Sequence, residues 1–305
     1  MTIRSFILFV VGALATMPAF ARSATSEVLS PEASQYPENI VLLHTDASGK
    51  ESLRTPIARY KDKQGHIVDL VGAIHLADAR YYRALNKAFA RYDKVLYEMV
   101  DGEDVPEMTR ISRKIAAGTA TDEEKERFNQ YQAARESGVT GNLLNSYYTY
   151  MAGMMQLALQ SEVIDYGLNN LVYADMSDEE FSAAMAERGE SWLTLVLDSI
   201  REGQGAEVSG SLFSMADATA LRRMVCRQLA ATAQGARSEQ RAIIVARNER
   251  CMQVLDRVLA DTESPTRTAA VFYGAMHLRD MHARMLQRGF ELVGVQWITA
   301  VRVER

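Results

Sequence analysis

Two heptapeptides far apart in the chain hold the residues best suited to chemistry. Gly72-Ala73-Ile74-His75-Leu76-Ala77-Asp78 and Gly274-Ala275-Met276-His277-Leu278-Arg279-Asp280 agree at five of seven positions. Each follows an apolar run and precedes a helical pattern, so the pair is an internal repeat centred on histidine. Imidazole changes charge near neutral pH and is the commonest metal ligand. A third group, Glu98, interrupts the apolar run Val95 to Val100. A buried carboxylate is costly unless paired or ligated, so Glu98 needs a partner. Two imidazoles and one carboxylate form a set that holds Zn, Mn, Co or Fe as the divalent ion while leaving positions open for water. Such an ion lowers the pKa of its bound water and polarises a carbonyl, which is the chemistry of amide or ester hydrolysis. The plain alternative is that each histidine is a hydrogen-bonded structural residue at a strand end and that Glu98 sits on an exposed edge.

Other residues group around these three. Gly72 and Gly274 suggest a tight turn or a close approach of backbone to whatever occupies the crevice. Asp78 and Asp280 stand where they can cap the following helices, or bond a ligating histidine from behind. Arg247 and Asn248 share one helix, with Arg247 either facing the crevice as an oxyanion or carboxylate clamp or lying on an exposed charged face. Asn248 and Tyr273 are candidate substrate contacts, although a core tyrosine explains Tyr273 equally well.

Positioning these residues requires a sheet built from both ends of the chain. Thr55 to Tyr60, a turn over Lys61 to Gly65, and Ile67 to Ala73 read as a β-hairpin. Asp78 then starts a helix over Ala79 to Tyr92, with Tyr82, Leu85, Phe89 and Tyr92 at helical spacing. Lys94 to Val100 has the near-continuous apolar character of a strand buried on both faces of a parallel sheet. At the other end, Ala269 to Tyr273 reads as a strand, Asp280 to Arg288 as a helix stopped by Gly289, and Phe290 to Ala300 as a final strand. Between them, from about Glu103 to Ala260, the pattern is helical. Thr121 to Glu124 and Ser177 to Glu180 have the capping-box form, and helices are expected over Glu190 to Glu202, Ala216 to Gln234 and Ser238 to Ala260. Leu143 to Gln160, rich in Met, fits a buried helix face or a flexible surface turned toward substrate. The expected fold is therefore α/β: a mixed sheet of N- and C-terminal strand-helix-strand units with a large helical insertion over about 103–260. Both histidines would stand at the carboxyl ends of strands, where open α/β sheets bind ligands.

At these residues the chain resembles the TraB/PrgY/GumN/Tiki family, marked by two distant Gly-x-x-His motifs with a glutamate between them. Here they are Gly72 to His75, Glu98 within Leu-Tyr-Glu, and Gly274 to His277, and Ala246-Arg247-Asn248 looks like the family's helical arginine motif. The match spans about Thr55 to Ala300. The resemblance implies metal-dependent peptidase activity, membrane-associated or secreted, with Mn or Co in the Tiki branch, on a fold similar to erythromycin esterase and ChaN-like proteins. It therefore implies His75, His277 and Glu98 as ligands of Mn, Co or Zn, with Glu98 as ligand or general base and Arg247 stabilising negative charge. The same fold similarity also implies two rivals: a metal-free esterase-like hydrolase, and a protein that binds haem, metal or peptide without turnover.

Composition narrows the partners. Of 305 residues, 48% are hydrophobic and 24% charged, as in a globular protein. With 34 Lys+Arg against 39 Asp+Glu the formal charge is -5, so nucleic acid is not an expected partner; a peptide or protein substrate is what the resemblance implies. Met1 to Arg4, the apolar Ser5 to Thr16 and Ala19-Phe20-Ala21 form a signal-peptide pattern with cleavage after Ala21, which predicts export to a periplasm or the exterior. No cysteine follows to carry a lipid, and no later apolar run is long enough to span a bilayer. Residues 22–53 read as a polar leader before a single domain over 54–305. Outside the cytosol, Cys226 and Cys251 on neighbouring helices either pair or remain two small buried thiols.

Overall fold

The structure is a computed structural model that describes residues 36–136, 148–189, 217–234 and 242–304. It is an α/β fold around a mixed seven-stranded sheet. The strands β1 (Leu42–Thr45), β2 (Glu51–Lys61) and β3 (Ile67–Ala73) are joined by tight turns. Between β2 and β3, Asp62 accepts from the backbone and ring of His66, and Gly65 takes the positive φ the turn needs. Asp78 then leads into helix α1 (Ala79–Phe89), which returns to β5 (Lys94–Tyr97). Toward the carboxyl terminus, β8 (Thr268–Gly274) passes through a 3-10 turn (Ala275–His277) into α8 (Leu278–Gln287) and β9 (Glu291–Arg302).

Strand order explains why the repeat matters. β3 and β8 are parallel neighbours, with Gly72 opposite Tyr273 and Ala73 opposite Gly274. β5 lies parallel on the far side of β8. β2 is antiparallel to β3 and carries β9 along its other edge. The sheet thus interleaves the two ends of the chain, and the carboxyl ends of β3, β8 and β5 open on one rim. β3 and β8 are buried along nearly their whole length because the sheet is covered on both faces, which is why they read as continuous apolar runs.

The central block is less uniformly helical than expected. It contains α2 (Val105–Ala116), α3 (Asp122–Glu136), a helical stretch over 148–155, the short α4 (Gln160–Val163), α5 (Asp178–Glu187), α6 (Ala218–Gln234) and α7 (Ala242–Ala260). Two short strands interrupt it. β7 (Leu171–Tyr173) extends the main sheet beside β5, and β6 (Ala158–Leu159) pairs with β4 (Leu76–Ala77) just after His75. Strands this short leave little alternation to read, which is why the sequence hides them. Both capping boxes form: Thr121 and Ser177 accept from the Glu124 and Glu180 amides, and each glutamate bonds back. Met151 and Met155 are buried in a satellite cluster with Leu221, so the Met-rich segment is packed rather than turned outward there.

Three boundaries shift. β5 ends at Tyr97 instead of Val100. The residues after it turn away, with Asp101 at positive φ and the Tyr97 hydroxyl bonding the Gly102 carbonyl. The sheet begins before residue 54, since Ile40 and Val41 are buried and β1 pairs with β2. α1 stops three residues short of Tyr92. Cys226 and Cys251 are both buried and unbridged. The signal-peptide pattern and the helix expected over 190–202 lie outside the described residues.

Candidate functional site

Three strand ends deliver the site, and a fourth leads to His75 beyond it. Glu98 follows β5 immediately, Asp175 lies two residues beyond β7, and His277 closes the 3-10 turn after β8. The fourth, β3, leads to His75 two residues on. α7 crosses above the rim and contributes Arg247 and Asn248.

Glu98 is the hub. Its Oε1 lies 2.8 Å from Nη2 of Arg247 and 3.4 Å from Nε2 of His277. Its Oε2 accepts the Gly274 amide at 2.5 Å. A Cβ on Gly274 would come within 3.3 Å of that oxygen, so the glycine permits the approach. Gly72 serves packing instead: a Cβ there would meet Leu278 and Pro56 at 3.1 and 3.2 Å. Burial pushes the Glu98 carboxyl up, but the charges of His277 and Arg247, with hydrogen bonds from His277 and Gly274, hold it well below the usual carboxylate range. Glu98 is ionised.

Arg247 is clamped from its other side by a residue not singled out from sequence. Asp175, fully buried, accepts Nε at 2.9 Å and Nη2 at 2.5 Å, a bidentate pair. The Phe181 ring lies 5.8 Å beneath the guanidinium. Burial works against the Arg247 charge, but Glu98 and Asp175 together raise its pKa above the ordinary arginine value. A signal for Asp175 was present: Leu171 to Ala174 is a short apolar run followed by a carboxylate, as Val95 to Tyr97 is.

His277 is oriented from behind. Its Nδ1 lies 2.6 Å from Oδ1 of Asn248, whose Nδ2 donates to the His277 carbonyl at 3.1 Å and to Asp280 at 2.7 Å. Asp280 also accepts Nε of Arg284 at 2.6 Å. The Asn248 amide nitrogen is spent on two acceptors, so Oδ1 faces His277 and Nδ1 must carry the hydrogen. Nε2 then points at a carboxylate oxygen. At 3.4 Å this pair is stable with a proton on Nε2, or with a water or a cation between the two atoms.

The other expected residues fall as follows. Asn248 supports His277 and is fully buried rather than facing substrate. Tyr273 is 1% exposed and donates its hydroxyl to the Ala174 carbonyl, so it is a core residue. Asp280 lies behind His277, through Asn248. Asp78 makes no side-chain cap; its carboxylate accepts the Arg302 amide and ties β9 to the start of α1. His75 is exposed, its ring 5.5 Å from that of Tyr148 and its carbonyl bonded by the Gln160 amide.

No family model, no curated protein and no solved structure matches the chain. The site therefore stands on its own geometry. An imidazole and a carboxylate sharing one tetrahedral ion hold their donor atoms about 3.4 Å apart. Glu98 and His277 meet that spacing. A third donor is not beside them: among the described residues no group of three or more His, Cys, Asp or Glu is arranged to hold an ion. The residues fit two positions of a metal site but not three, so no step below passes through a metal.

Proposed function

We propose that the chain is an exported hydrolase of amide or ester bonds in peptides or proteins, centred on His277, Glu98 and Arg247. The observation that carries this reading is the directed imidazole, with Nδ1–H committed to Asn248 and Nε2 facing Glu98. In its neutral form Nε2 takes a proton from a water as the water oxygen attacks the carbonyl carbon. The imidazolium so formed is stabilised by the ionised Glu98 and passes the proton to the leaving group. Arg247 holds Glu98 in place. Its Nη1, which has no partner among the described residues, is the donor left for the developing oxyanion. Export rests on the pattern over Met1 to Ala21; no helix among the described residues is long and apolar enough to cross a membrane.

The 3.4 Å separation of Nε2 and Oε1 favours a second reading, in which these two groups hold a divalent ion and His75, the third ligand the resemblance implies, would have to move to join them. The test is a screen of mixed peptide and ester substrates with the wild type and His277→Ala, with and without chelator and added Mn. Turnover that survives chelation and vanishes in the variant supports the first reading. Turnover lost to chelator, restored by Mn and lost again in His75→Ala supports the second. Equal turnover in wild type and His277→Ala ends both.

A further inference from the structure

Outside the site, the exposed face of α1 carries charge of one sign only. From Ala79 to Tyr92 the sequence contains Arg80, Arg83, Lys87 and Arg91 and no acidic residue, on a chain whose formal charge is -5. All four are exposed, while Tyr81, Tyr82, Leu85 and Phe89 on the opposite face are buried. Spacings of three, four and four residues put them in one line along the helix and its C-terminal extension, about 16 Å long at the helical rise. Arg80, Arg83 and Lys87 make no ion pair among the described residues. Like charges four residues apart repel, so this arrangement costs the isolated helix stability. Several exposed arginines elsewhere are matched: Arg127 meets Asp104 and Glu107, Arg113 meets Asp165, and Arg227 meets Glu51.

We infer that this face of α1 docks the protein on an anionic phospholipid surface. The occupant follows from shape and charge. Between the basic residues the exposed positions are alanines, Ala84 and Ala90, so no aromatic or aliphatic wedge inserts. A straight row of cations suits a layer of phosphate headgroups, to which each Lys or Arg near the surface adds roughly a five-fold gain in binding. The apolar Ser5 to Thr16 segment directs the chain to a membrane in any case. This inference is independent of the hydrolase reading.

The experiment is flotation of the full chain with vesicles of phosphatidylglycerol and phosphatidylcholine, equal parts, and of phosphatidylcholine alone. The N-terminal segment, with its basic Met1 to Arg4, is present in every sample, so the double variant isolates the charge of α1. Binding to the anionic vesicles should exceed binding to the neutral ones at least ten-fold and disappear at high salt. In Arg83→Gln/Lys87→Gln it should fall about 25-fold, with a melting temperature no lower than that of the wild type because a like-charge repulsion is removed. Equal binding to both vesicles, or a double variant that binds as the wild type does, overturns the inference. So does capture by polyglutamate in the absence of vesicle binding, which would assign the face to an acidic protein.

Discussion

Asp175→Asn probes the least visible part of the site. The carboxylate is fully buried and takes two hydrogen bonds from Arg247, at 2.9 and 2.5 Å, plus the Met176 amide. Removing one member of a buried ion pair costs about 3–5 kcal/mol, because the remaining charge stays desolvated. Asparagine keeps one acceptor oxygen, and Glu98 still faces Arg247, so the lower end, about 3 kcal/mol, applies. For a domain of this size that lowers the melting temperature by about 6 °C or more. Asp165→Asn is the matched control. Its partner Arg113 is exposed, and such pairs contribute about 1 kcal/mol or less. Calorimetry of both variants gives the comparison, and turnover gives the second readout. Arg247 released from Asp175 no longer fixes Glu98, so activity should fall further than stability explains, at temperatures where the variant is fully folded. If Asp175→Asn is no less stable than Asp165→Asn, the buried clamp does not exist as described.

Acid should expose the Glu98 interaction. Its folded pKa is depressed, so its contribution to stability is complete above the ordinary carboxylate value of 4.5 and is lost as pH falls through the depressed folded value. Urea titrations of wild type and Glu98→Gln should therefore converge as pH drops below about 4, and a constant gap down to pH 2 would contradict the assignment. Asn248→Ala strands the Nδ1–H of His277 and one bond to Asp280, with an expected loss of about 1–3 kcal/mol and a marked fall in kcat at little change in KM. Unchanged kinetics would show that His277 needs no such support. Burial pushes the Cys226 thiol up to about 12 and leaves both cysteines enclosed. A thiol reagent should titrate neither until the protein is denatured; prompt reaction, or a bridge found by mass, would contradict the packing.

How much of this was legible depends on the scale of each feature. The sheet could be read from both ends because β3 and β8 are continuous apolar runs whose character reports burial directly, and β9 is a long strand of twelve residues. β6 and β7 have two and three residues, and their pairing is decided by partners distant in sequence. Glu98 and His277 were found because a carboxylate in an apolar run and a repeated histidine are conspicuous, and the structure brings them together. His75 shares the same heptapeptide yet follows a different path. Leu76 and Ala77 pair with β6 where Leu278 starts a helix, so identical residues take the conformation their neighbours impose. The expected roles of Asp78, Asn248 and Tyr273 required knowing which hydrogen bonds their polar atoms already make. That is a property of packing, invisible in spacing. Asp175 was passed over because its partner, Arg247, lies 72 positions away.

The central claim is that Glu98 and His277 act as one unit, and a double-mutant cycle on turnover tests it most directly. His277→Ala, Glu98→Gln and the combined variant are each assayed on the best substrate of the wild type, at a temperature where all are folded. Groups that serve one step together give losses that do not multiply. The account predicts that the double variant is no slower than the worse single variant. Losses that multiply, or single variants that turn over at the wild-type rate, would contradict it.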